Sequence, residues 1–131
     1  MVKRTIWAVV AVFIAWSILS FILHGLLLRS TYEATANLWR PMDQMNMPLL
    51  YFVTLVFTVC FVLIYGLLVG QKSLASGIRF GALFGLATGI LMGFGSYIYM
   101  PIPLTLAWSW FFGSWIEAIT AGAIVGTIMK S

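Results

Sequence analysis

GIRFGALFGLATGILMG, residues 77–93, places glycine at every fourth position: Gly77, Gly81, Gly85, Gly89 and Gly93. In a helix, side chains four apart stand above one another, so these glycines predict a bare ridge along one side. A bare ridge lets a second backbone approach closely, as small residues at this spacing do between membrane helices. Each step of four turns about 400°, so the ridge drifts by about 40° per step around an ideal helix. That drift suits a right-handed crossing.

The last apolar run carries a matching series, Ser114, Ala118, Gly122 and Gly126. A short turn through Pro101 and Pro103 joins the two runs. The expectation is a tight antiparallel hairpin, backbone near backbone. Self-association through the Gly77–Gly93 ridge is the competing reading.

Composition points the same way. Of 131 residues, 63% are hydrophobic and only 8% charged, and mean hydropathy is +1.07. Soluble domains carry about 25% charge. A chain this poor in charge cannot cover a water-facing surface, so lipid is the expected solvent. The net charge of +4 is scattered at the ends of apolar runs. Nucleic-acid binding needs basic residues clustered on one face, so no nucleic-acid partner is expected. The single cysteine, Cys60, can form neither an intrachain disulfide nor a zinc site.

Four apolar runs cover about 6–28, 48–69, 78–100 and 104–129. Each reaches the roughly 20 residues that a helix needs to cross the hydrocarbon core. The first run is too long for a signal-peptide core and lacks a small-residue cleavage site, so it is expected to be retained. The expected fold is all-α: one domain over 1–131, an integral membrane bundle of four transmembrane helices.

Lys3, Arg4, Lys72, Arg79 and Lys130 fall on one side of this plan, and Arg29 and Arg40 on the other with Glu33 and Asp43. Positive residues favour the cytoplasm. The expectation is therefore a multi-pass protein of the inner (cytoplasmic) membrane with both termini cytoplasmic. The 71–77 loop is expected on that same side.

Between the first two runs, Ser30 and Glu33 have capping-box spacing. Arg29 and Glu33, four apart, can pair on a helix. Tyr32, Ala36 and Trp39 follow helical spacing until Pro41. These features predict a short amphipathic interfacial helix at about 31–40, with Tyr32 and Trp39 turned toward the lipid. As a functional alternative, it lids the bundle or docks a partner.

Glu117 is the chief candidate for function. A carboxylate within a span is costly and usually faces protein partners. Ser17, Ser20 and His24 are spaced three and four apart on the first run and predict a polar stripe. His24 and Glu117 are expected to face each other. Such a pair either pins the bundle or forms a proton- or cation-responsive site.

Met42, Met45 and Met47 are soft potential ligands for Cu(I). Methionines are equally ordinary interface fillers, and this cluster is short. No metal or other cofactor is therefore assigned. The sequence holds no Walker loop, HExxH, paired cysteines or GxSxG. No enzymatic activity is expected.

A polar aromatic segment after the first span (Tyr32 to Trp39), a glycine-rich third span and an aromatic-led fourth span recur together. In this plan the chain resembles small four-helix bacterial inner-membrane families of unknown function. Small multidrug exporters share the four-span plan, but their membrane carboxylate lies in the first helix. Here that helix carries His24 and no acid, so no site residue is transferred. The expected role is a structural or accessory membrane subunit, as a homo-oligomer or with other membrane subunits. The alternative is a small oligomeric transporter or channel using Glu117 and His24.

Overall fold

The structure is a computed structural model that describes residues 2–130. It is all-helical, with no strand among the described residues. Four helices are long and apolar enough to cross a membrane: α1 (Val2–Leu27), α3 (Met47–Leu68), α4 (Leu74–Tyr99) and α5 (Leu104–Ile128). A short helix, α2 (Arg29–Ala34), follows α1.

Local chemistry explains the helix ends. Asn46 caps α3, its side chain accepting from the Leu49 amide at 3.1 Å, and Pro48 follows in the first turn, where its missing N–H costs nothing. Ser73 and Ser76 form a reciprocal capping box at the start of α4. The connection expected at 71–77 is therefore shorter, and Gly77 already lies within α4. Pro103 precedes α5 and ends the tight turn from α4.

The segment after α1 departs from the expected helix at 31–40. α2 has six residues, and a separate short turn, Ala36–Leu38, follows it. The Ser30–Glu33 capping box does not form: Leu28 occupies the cap position without a side-chain bond. The physical reason is continuity, because the Leu28 amide already bonds the Leu23 carbonyl and leaves no free helix start to cap. Thr35 ends α2 by turning its hydroxyl onto the Thr31 carbonyl at 2.8 Å. The Arg29–Glu33 ion pair does form, at 3.2 Å on an exposed face. Tyr32 and Trp39 pack against protein, on a cluster of Leu28, Ile102, Leu106, Ala107 and Trp110.

α5 is the centre of the bundle. The α4 glycines lie directly against it. A Cβ added at Gly77 would stand 2.7 Å from the Gly126 Cα, and one at Gly85 would stand 2.6 Å from the Ala118 Cβ. At Gly81 it would meet the Ala118 carbonyl and come within 3.1 Å of the Gly122 Cα. At Gly89 and Gly93 the neighbour is Phe111, with the Ser114 Cβ 3.6 Å from the Gly89 position. The contact thus runs past Ser114 to Phe111 and Ala107, which the four-residue series did not include.

A straight α-helix could not keep five glycines on one line, because of the 40° drift. A wide π-type turn at Leu91–Gly95 takes up an extra residue without matching rotation, and Gly93 stays on α5. Trp115 clamps the same pair by donating its indole N–H to the Ala82 carbonyl at 2.9 Å.

On its other side α5 meets α1. Ala8, Val12 and Trp16 of α1, Phe61, Val62 and Tyr65 of α3, and Ala121, Val125 and Met129 form one core at the termini end. Phe80 and Phe84 of α4 close it against Phe61, with ring centroids 4.8 and 5.0 Å away. The buried residues of α3 run from Thr58 to Tyr65; Leu49 to Phe57 are exposed or, at Thr54, half-exposed, although one face of Phe57 still meets Trp16 and Phe84. The two ends of the bundle therefore hold separate apolar clusters, with α3 joined only to the first.

Candidate functional site

The α1 face toward α5 also advances by fours: Ala8, Val12, Trp16, Ser20, His24. The first three are buried in the termini-end core, and the last two are polar and half-buried. One continuous stripe thus changes from apolar to polar halfway along the helix. The packing is that of i±4 ridges on both partners.

Trp16 sits at the change. Its indole N–H donates to the Glu117 backbone carbonyl at 2.7 Å, fastening α1 to α5. Its ring lies 5.4 Å from Phe57 and 5.2 Å from Phe61, roofing the core. One turn on, the Ser20 hydroxyl donates to Glu117 Oε1 at 3.0 Å. No Lys or Arg lies near this height, since all seven stand at or beyond the ends of the apolar runs. The carboxylate is held by a neutral donor, with no counter-charge from its own chain.

The next turn holds a second polar group. His24 Nδ1 is 2.6 Å from the Tyr32 hydroxyl, and Trp110 Nε1–H donates to that hydroxyl at 2.7 Å. An indole N–H can only donate, so the Tyr32 oxygen is the acceptor there. The phenol has one hydrogen, and His24 Nδ1 is the acceptor beside it. The indole hydrogen of Trp110 and the phenol hydrogen of Tyr32 are both satisfied when neutral His24 carries its own proton on Nε2. Trp39 packs edge-on to Tyr32, 5.6 Å between centroids, and its N–H donates to Thr35 Oγ1 at 2.9 Å. Burial pushes the Tyr32 phenol above its usual value of 10.0, and the Trp110 hydrogen bond opposes that shift. His24 itself lies in a π-type turn, Phe21–Leu27.

His24 and Glu117 do not pair: among the described residues the ion pair is Arg29–Glu33, and the two candidates hold different partners. Antiparallel register is the reason. Four residues up α1 correspond to four residues back along α5. With Ser20 opposite Glu117, His24 comes opposite Gly113, a turn or about 6 Å farther on. The Leu23 side chain fills the notch at Gly113.

The expected polar stripe of Ser17, Ser20 and His24 also divides. Ser20 and His24 lie on the seam, whereas the Ser17 hydroxyl is buried without a hydrogen-bond partner. Met42, Met45 and Met47 are exposed in the connection and at the start of α3. Cys60 is exposed on α3. Sequence reasoning missed Trp16 and Trp110 as partners of the site. The four-residue spacing from Ala8 to His24 was the signal available for Trp16, whereas the indole of Trp110 meets Tyr32 only in the folded chain.

Comparison with known proteins finds no matching family model, curated protein or solved structure, so a functional reading rests on these residues.

Proposed function

We propose that the chain is a multi-pass protein of the inner membrane, both termini cytoplasmic, acting as a structural or accessory subunit. The observation that carries this reading is the interlock of α4 and α5 over Gly77 to Gly93, where backbone meets backbone. Lipid supplies no hydrophobic drive between helices, so close packing is what stabilises such a pair. The pair makes a stiff spine, while the Leu49–Phe57 half of α3 is left open to neighbours. Lys3, Arg4, Lys72, Arg79 and Lys130 gather at the termini end, which favours that end as cytoplasmic.

Purification in mild detergent, with native mass spectrometry of what remains bound, tests the role. Defined oligomers or co-purifying membrane subunits are expected. A bare monomer at every detergent level overturns the reading.

A second reading, a small oligomeric transporter or channel for protons or cations, rests on Glu117. Its carboxylate lies mid-helix with Ser20 as its hydrogen-bond partner and no cation from the same chain. Flux into liposomes that Glu117→Gln abolishes would favour it over the subunit reading. Equal flux in wild type and variant would remove it.

A further inference from the structure

We infer that His24, Tyr32 and Trp110 form an acid-released latch, which holds the segment from Arg29 to Trp39 down on the far end of the α1–α5 seam. The inference goes beyond the proposed role and holds for either reading of Glu117. Three observations carry it. The segment has no long helix of its own, only α2 and the Ala36–Leu38 turn. Tyr32 and Trp39 anchor it in the far-end cluster. Among the described residues its side-chain hydrogen bonds to α1 and α5 run through the Tyr32 hydroxyl, which bridges His24 and Trp110 at 2.6 and 2.7 Å.

That bridge fits one protonation state of His24. With Nδ1 bare, the phenol hydrogen has an acceptor and the phenol oxygen receives the indole hydrogen. A proton arriving on Nδ1 sets two donors face to face. The phenol hydrogen must then leave the acceptor it has on Nδ1 and turn away among the rings of Trp39 and Trp110. Histidine is the side chain whose ordinary range crosses between about pH 5 and 8.

Other titratable groups around this seam are few. α5 brings Glu117, one turn inward and bonded to Ser20. The covering segment brings Tyr32 and the exposed Arg29–Glu33 pair, with Arg40 and Asp43 beyond it. α3, and α4 from Phe80 onward, contain no acidic or basic residue. Release would take Tyr32 off His24 and uncover that end of the stripe.

Hydrogen exchange of the full-length protein in lipid nanodiscs tests the latch. Protection of peptides covering 29–39, corrected for intrinsic exchange, is compared at about pH 8 and pH 5. In wild type it is expected to fall about two- to tenfold at the lower pH, the effect of losing one hydrogen bond. His24→Gln should show no such fall, and Glu117→Gln and Glu33→Gln should keep it. Tyr32→Phe should be weakly protected at both values, with α5 peptides still protected as proof of folding. Equal protection of wild type at both values overturns the latch. So does a full pH response in His24→Gln, or strong protection in Tyr32→Phe.

Discussion

Ser20 of α1 donates a hydrogen bond to Glu117 of α5 at 3.0 Å, across 97 residues of sequence. The bond marks the height at which the α1 seam changes from apolar to polar, just above the Trp16 indole. A hydrogen bond to a charged group contributes about 1.5–3 kcal/mol. Ser20→Ala should therefore destabilise the fold by about 1–3 kcal/mol. Glu117→Gln keeps an acceptor oxygen and should cost less. Denaturation in mixed micelles measures both, and a larger loss in Glu117→Gln than in Ser20→Ala would contradict this account.

The glycines separate into those against backbone and those in the open. At Gly81 an added Cβ would meet the Ala118 carbonyl, and at Gly70 nothing lies within 4 Å. Backbone cannot yield as a side-chain tip can, so Gly81→Ala should destabilise by about 1–3 kcal/mol. Gly70 has no positive φ, so Gly70→Ala should be neutral or stabilising by up to about 1 kcal/mol. The two melting curves should shift in opposite directions or differ by several degrees.

Tyr32 supplies an alkaline test. Its phenol is raised above 10.0 by burial, against the opposing Trp110 bond. A raised group holds its proton more tightly in the folded state. Its contribution is complete below the unfolded value and is lost as pH climbs through the folded one. Tyrosinate absorbance, wild type minus Tyr32→Phe, should therefore rise later than free tyrosine. Trp110→Phe removes the lowering influence and should delay it further. An unshifted difference curve would show that Tyr32 is not held as described.

Orientation is open to direct labelling. In a Cys60→Ser background, Asn37→Cys should react with an impermeant thiol reagent in intact cells. Gln71→Cys should react only after permeabilisation. The reverse pattern would invert the proposed topology.

Much of this bundle could be read from residue spacing. The Gly77–Gly93 ridge and the Ser114–Gly126 series rest on one physical fact: periodicity on a helix survives folding. The helical runs were equally plain, because length and apolarity are properties of the chain alone. The partners of polar groups were harder to read. Ser17, Ser20 and His24 look like one stripe in sequence, yet only Ser20 and His24 find hydrogen-bond partners, and the buried Ser17 hydroxyl has none. Three residues turn about 300°, so Ser17 already stands about 60° around the helix from Ser20, and beyond Ser20 a π-type turn at Phe21–Leu27 changes the phase of α1 again.

By itself the sequence determined four long apolar helices, a glycine ridge on the third with a matching small-residue series on the fourth, and a lone mid-helix carboxylate. These follow from composition and from the 3.6-residue period, which need no knowledge of neighbours. Only the tertiary structure decided what Glu117 and His24 touch. Antiparallel register set Glu117 against Ser20, and the fold of the 29–39 segment carried Tyr32 back onto His24 and Trp110. Contacts between distant segments depend on register and approach to within a turn, and a turn is the difference between a His24–Glu117 pair and the two separate sites that formed.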